Sequence, residues 1–156
     1  IPEAYIPETS ARVMSLTEPT NKMSKSDEQM KSRVSVLDDP DVIRKRIRSA
    51  VTDSDPEVRY DVRAKPGISN LLEIMAACTG GSVDDLVSEY SAAGYGVFKD
   101  AVADAVIDEL APVKAAYKSL SNGDVRAVLR AGGIKANEIV QPYQREVRKA
   151  VGIKGY

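Results

Sequence analysis

The chain has no histidine and a single cysteine among its 156 residues. Without an imidazole it cannot run Ser-His-Asp hydrolysis, use a histidine as general acid or base, or build a histidine-containing zinc site. Cys78 alone forms neither an internal disulfide nor a thiolate metal site. That usage fits a reducing cytoplasm. The run Leu71-Leu72-Glu73-Ile74-Met75-Ala76-Ala77 before it reads Cys78 as a small buried apolar side chain. No run approaches the roughly 20 apolar residues needed to cross a bilayer, so no membrane segment is expected. Ile1-Pro2-Glu3-Ala4-Tyr5 lacks the basic start and apolar stretch of a secretion signal. No glycine-rich turn follows a strand, so a dinucleotide-binding βαβ unit is not expected either.

What is present suits a globular domain. Hydrophobic residues make up 43% of the chain, enough for a real core. The net charge of -1 hides a segregation of sign. Between Ser82 and Glu109 the only base is Lys99, among Asp84, Asp85, Glu89, Asp100, Asp104, Asp108 and Glu109. After Asp124 the balance reverses, with Arg126, Arg130, Lys135, Arg145, Arg148, Lys149 and Lys154. Arg44-Lys45-Arg46-Ile47-Arg48 is a second basic cluster. Such segregation suits a protein that meets a polyanion on one face, but ordinary solvated helix faces are the favoured account on charge alone.

Pro2, Pro7 and Pro19 forbid a continuous helix over residues 1 to about 21, with Ala11–Leu16 a possible short strand. Ser26 with Gln29 fits a capping box for a short helix. Asp39 as N-cap and Pro40 as first residue open a clearer helix, to about Val51. Val58–Asp61 reads as extended and Lys65-Pro66-Gly67 as a turn. Helix follows from about Ser69 to Thr79, stopped by Gly80-Gly81. Ser82 with Asp85 opens the next, ending near Ala93-Gly94. Phe98, Val102, Val106, Leu110, Val113, Tyr117 and Leu120 mark one face of a helix from Val97 to Leu120, with Pro112 inside to kink or break it. A helix over 124–130 is expected to end at Gly132-Gly133. A last one carries Ile139, Tyr143, Val147 and Val151 on one face, which reads Tyr143 as core, with base stacking as the alternative. The expected fold is mainly α: a helical bundle preceded by an extended or loop segment.

One segment carries chemistry. Lys22-Met23-Ser24-Lys25-Ser26 places two ammonium groups and two hydroxyls on one loop, leading into the helix start expected at Ser26. Lysines beside a helix N-terminus suit a phosphate chain. Mobile lysines also stabilise charge as it develops on phosphate oxygens during nucleotidyl transfer. A solvated basic loop is the plain alternative on composition alone.

That string resembles the full signature loop of the class I aminoacyl-tRNA synthetases. Ala11-Arg12-Val13-Met14-Ser15-Leu16, Leu37-Asp38-Asp39-Pro40, Ile47–Ser54 and Lys65–Ile74 are similar to the bacterial tryptophanyl branch, over nearly the whole chain. The resemblance implies a C-terminal portion of such an enzyme. Residues 1–36 would be the tail of a Rossmann-type catalytic domain, and 37–156 an α-helical domain that binds the tRNA anticodon. It implies ATP, with Mg2+, and tryptophan as substrates, tRNA(Trp) as partner, no metal bound by this portion, a homodimeric full-length protein and a cytoplasmic location. Lys25 would contact the pyrophosphate portion of ATP, with Lys22 assisting. Ser24 and Ser26 would hold phosphate oxygens or shape the loop, Met23 would pack near the nucleotide, and the Val13 backbone would meet adenine. The His-containing signature of the class is absent, so this portion alone is expected to be inactive. For the RNA surface, Lys135, Arg145, Arg148 and Lys149 are the first candidates, and Arg44 and Arg46 the second. Three other readings stay open: a tyrosyl-type C-terminal portion, a non-catalytic RNA-binding module with a vestigial loop, and a helical interaction domain.

Overall fold

A computed structural model describes residues 2–4 and 11–153. The expectations for Pro7 and Lys154 fall outside them. The described residues form five α-helices: α1 Pro40–Arg48, α2 Pro66–Thr79, α3 Val83–Tyr90, α4 Gly94–Ser119 and α5 Asn122–Ala150. A single 3-10 turn, Met30–Ser32, precedes them. Among the described residues the only β-type pairing is one antiparallel bridge between Met14 and Lys22. The mainly α expectation is met, and the strand at Ala11–Leu16 reduces to that bridge.

Several helix ends follow from local chemistry. Pro40 opens α1 where expected, with Asp39 at the N-cap position but its side chain making no cap bond. Ser82 caps α3 by accepting from the Asp85 N–H. Gly80, with a φ of 70°, ends α2 in the left-handed conformation that a Cβ disfavours. Ser121 and Asp124 form a full capping box at the start of α5.

Other ends differ from the sequence reading. Lys65-Pro66-Gly67 opens α2 with Pro66 in its first turn, rather than forming a separate turn. α1 stops at Arg48, three residues early. α4 runs through Pro112 unbroken. α5 runs through Gly132, Gly133 and Pro142, so the two helices expected there are one of 29 residues. Each mid-helix glycine costs only about 1 kcal/mol, and its helix-forming neighbours Ala131, Lys135 and Ala136 offset that. Ser26 opens no α-helix, because short side-chain contacts satisfy its surroundings first: Ser26 N–H donates to Ser24 Oγ, and Gln29 N–H donates to Asp27 Oδ1.

The chain divides into two compact units, residues 1–114 and 115–156. The first holds the core, around Phe98, Ile43, Ile47, Ile68, Leu71 and Leu72, all fully buried. Leu16, Val58, Val102 and Leu86 join the same cluster. α1 and α4 are tied by charge pairs four residues apart on each helix: Arg44 pairs with Asp104, and Arg48 with Asp100. The opposite numbering of the partners makes the helices antiparallel. Lys99, buried, donates to the carbonyls of Arg48 and Ala50 past the end of α1, the latter at 2.8 Å, and to Thr52 Oγ1. Burial holds its pKa below the ordinary lysine value. Lys65 is buried at the start of α2 between Asp53, Asp55 and the Tyr95 hydroxyl.

In the second unit α5 carries no buried residue. Ile139, Tyr143 and Val147 are exposed, so Tyr143 is not a core side chain in this chain. Cys78 is half-buried rather than fully enclosed. Burial, aided by the Glu109 carboxylate, pushes its thiol pKa up, away from the reactive thiolate.

Candidate phosphate-binding loop

The segment Val13–Leu16 is the frame from which the lysine-containing loop hangs. Every residue of it is tied. Val13 C=O accepts from Met23 N–H at 3.0 Å, and Ser15 N–H donates to Asn21 C=O at 2.8 Å. Met14 N–H donates to Asn70 Oδ1 at 2.9 Å, and Met14 C=O accepts from Asn70 Nδ2 at 3.0 Å. Leu16 N–H donates to Ser32 C=O, and Leu16 C=O accepts from Val51 N–H, both at 2.8 Å. Residues 17–31 therefore leave and re-enter a fixed point of the fold.

Within the loop, Ser15 Oγ accepts from the Thr17 and Glu18 N–H groups and turns the chain. Asn21 N–H donates to Glu18 C=O, closing a turn at Pro19-Thr20. Lys22 returns alongside Met14 and is exposed. Met23 is half-buried and packs on the core cluster. Below it lies an apolar hollow of about 210 Å3, lined by Val13, Leu16, Met23, Cys78 and Val106 among others. Ser24 and Ser26 are exposed, their hydroxyl oxygens 2.9 Å apart. Lys25 sits in the turn between them, also exposed.

The electrostatics leave the two ammonium groups available. Among the described residues, neither Lys22 nor Lys25 has an ion-pair partner. The adjacent carboxylate is engaged elsewhere: Asp27 accepts from Gln29 N–H, and that bond, with the Arg33 charge, holds its pKa below the usual carboxylate range. Arg33 Nη1 in turn donates to Asp27 C=O at 2.8 Å. The loop thus offers two free cations and two hydroxyls to solvent on a tethered turn. Such an arrangement can receive an anion with several oxygens. The helix dipole expected from Ser26 is missing, so any anion held here would meet lysine charge and hydroxyl donors without it.

The structure brings Val13 and Met23 together by a hydrogen bond and gathers Lys22, Ser24, Lys25 and Ser26 on one exposed turn. The RNA candidates divide. Arg44 is paired with Asp104. Arg46 is inward-facing, its side chain 11% exposed, paired with Asp38 and donating to Arg33 C=O. Lys135, Arg145, Arg148 and Lys149 are all exposed on α5, where Gln141, Gln144, Arg145 and Arg148 line a shallow polar groove. Two site residues escaped the sequence reading. Asn70 is a polar residue inside the apolar run Ile68–Leu72, and that misfit was the available signal. Ser32, whose carbonyl closes the loop, carried none.

A family profile described as tRNA synthetases class I (W and Y) matches residues 2–111. The chain belongs to this family. It is 47% identical over 154 residues to the tryptophan–tRNA ligase of Oceanobacillus iheyensis and 46% identical over 154 residues to that of Bacillus anthracis. Each alignment covers 98% of this chain and 47% of the relative, so the chain spans about half the length of these relatives. The crystal structure of the tryptophanyl-tRNA synthetase from Mycoplasma pneumoniae superposes with a TM-score of 0.78 at 26% identity, covering 95% of this chain and 47% of that one. Among the described residues of the family member no helix is long and apolar enough to cross a membrane, and no three carboxylate or thiol side chains converge on a metal site.

Proposed function

We propose that this chain is the C-terminal portion of a tryptophan–tRNA ligase, the enzyme that activates tryptophan with ATP and passes it to tRNA(Trp). The observation that carries this reading is the loop Lys22–Ser26. Among the described residues its two lysines have no ion-pair partner, and the longer loop that holds it is tied to the Val13–Leu16 frame through Asn21, Met23 and Ser32, within a family member whose relatives carry that ligase name. In the first step the tryptophan carboxylate attacks the α-phosphorus of ATP. The adenylate forms and pyrophosphate leaves, and negative charge grows on the departing oxygens. Lys25 supplies the main countercharge to the pyrophosphate portion, with Lys22 assisting. Ser24 and Ser26 donate to phosphate oxygens, Met23 lies against the nucleotide, and the Val13 backbone meets adenine. Mg2+ arrives with the nucleotide.

In this reading residues 1–36 are the tail of the catalytic domain and 37–156 form the anticodon-binding domain, although the compact units divide at residue 114. The RNA surface is Lys135, Arg145, Arg148 and Lys149 on α5, because they are exposed and, among the described residues, have no ion-pair partner. Arg44 and Arg46 contribute less, since both are held in ion pairs within the chain. The full-length protein is a cytoplasmic homodimer. The chain alone lacks the amino-acid pocket and is inactive.

Tryptophan-dependent ATP–pyrophosphate exchange tests this. The full-length protein exchanges and the isolated chain does not; robust exchange by the chain, or none by the whole protein, overturns the reading. For the RNA surface, Arg145→Ala with Arg148→Ala weakens tRNA binding and lowers the salt slope by about 1 to 2 released ions.

A further inference from the structure

We propose that Asn70 is a positioning residue for the phosphate-binding loop. The inference rests on the function proposed above and adds to it a residue that the signature does not contain. Asn70 lies in the first half of α2 and is 4% exposed. Its amide does not cap its own helix. Both of its hydrogen bonds cross 56 residues of sequence to the backbone of a single residue, Met14.

Two facts make this more than packing. A buried amide costs desolvation energy that an apolar side chain at the same place does not, so its bonds must do something a leucine cannot. What they do is fix register. An amide that both accepts from Met14 N–H and donates to Met14 C=O selects residue 14 and one orientation of its peptide groups. A slip of the segment by one residue would turn every side chain to the opposite face. It would also carry Val13 C=O away from Met23 N–H and separate Met14 from Lys22, the two points where the loop re-joins the frame. A second contact from α2 acts nearby. Gly67 lets the Val51 carbonyl come close, and Val51 N–H holds Leu16. Helix α2 thereby grips the frame at Met14 directly and at Leu16 through Val51. Lys22 and Lys25 inherit their position from that grip.

The test uses the full-length enzyme with Asn70→Asp, Lys25→Ala and the double variant. The aspartate keeps an acceptor for Met14 N–H and faces Met14 C=O with an oxygen in place of a donor. Asn70→Asp lowers kcat/KM for ATP in pyrophosphate exchange by about 10- to 100-fold, the cost of an ångström-scale misplacement. KM for tryptophan and affinity for tRNA stay within about twofold of wild type. A double-mutant cycle gives the readout that a merely structural role would not move. In the Lys25→Ala background the further loss from Asn70→Asp shrinks to less than about threefold, because there is no Lys25 left to misplace. Should the aspartate variant fold poorly, Asn70→Ser removes the clamp without adding charge and is read in the same way. Full additivity in the cycle, or wild-type exchange in both Asn70 variants, overturns the positioning role. An impaired Lys25→Ala enzyme beside an unimpaired Asn70→Asp enzyme sinks this inference alone. An unimpaired Lys25→Ala enzyme sinks the phosphate-loop reading beneath it.

Discussion

Replacing Gly67 by alanine should unfold the first unit more easily, although alanine is the better helix former. Gly67 is buried in the first turn of α2. A Cβ added there would lie 2.1 Å from the Val51 carbonyl oxygen, 3.1 Å from its carbon and 3.3 Å from Thr52 Cα. All three are backbone atoms, so no side-chain rotation relieves the clash. Nor can the backbone retreat freely. Val51 N–H is bonded to Leu16 at 2.8 Å, and the neighbouring Ala50 carbonyl and Thr52 hydroxyl are both held by Lys99. Overpacking of this kind costs about 1–3 kcal/mol and sits near the upper end when backbone must move. Helix propensity returns about 1 kcal/mol. The net is a loss of about 2 kcal/mol, or roughly 4–8 °C in Tm for a chain of this size. The control is the same exchange at Gly132, in α5, where an added Cβ meets nothing within 4 Å. Gly132→Ala should stabilise α5 by about 0.5–1 kcal/mol. Urea titrations followed by circular dichroism read both, with the unfolding of each unit resolved. A Gly67→Ala chain as stable as wild type, or more so, would refute the close approach of Val51 to α2.

Two further outcomes follow from the ion pairs. Arg46→Ala removes one partner of a pair whose side chains are only 11% and 16% exposed, so it should cost about 2–3 kcal/mol, below the full cost of breaking a buried pair. Arg48→Ala breaks the more exposed pair to Asp100 and should leave the urea midpoint nearly unchanged; equal losses in the two variants would contradict the burial difference. Stability should also fall in acid. Burial raises the Asp53 pKa, but the Lys65 ammonium and the Tyr95 hydroxyl outweigh it, and the net shift is downward. Lys65 lowers Asp55 as well, and Arg48 lowers Asp100. A carboxyl whose folded pKa is depressed contributes stability above its unfolded value, near 3.9, and loses it as pH falls through the folded value. The urea midpoint should therefore hold steady from neutral pH to about 5 and drop below about 4; a midpoint already falling between pH 7 and 6 would point to other groups.

The parts of the fold legible in the sequence were those written by local chemistry. Pro40, Ser82 with Asp85, and Gly80 each work within a few residues, and each set a helix end where expected. The failures were places where a signal admits two outcomes. Gly132-Gly133 stops a helix only if a residue there turns left-handed, as Gly80 does; surrounded by helix formers, the pair was carried through. Ser26 had a capping partner at Gln29, but Asp27 took the Gln29 N–H first. The pairing of Arg44 and Arg48 could not be read, because their partners, Asp104 and Asp100, lie more than fifty residues away and meet them only once α1 and α4 pack antiparallel. The lysine loop could be singled out because its residues are contiguous in sequence. Its support was not, since the Asn70 clamp and the Ser32 and Val51 bonds join segments that only the fold brings together.

The most direct measurement is tryptophan-dependent ATP–pyrophosphate exchange by the full-length protein, wild type against Lys25→Ala. If the loop holds the departing pyrophosphate, the variant exchanges about 10- to 1000-fold more slowly, as expected for loss of one donor that acts on transition-state charge. An exchange rate equal to wild type would contradict the assignment of Lys22–Ser26 as the phosphate-binding jaw of the site.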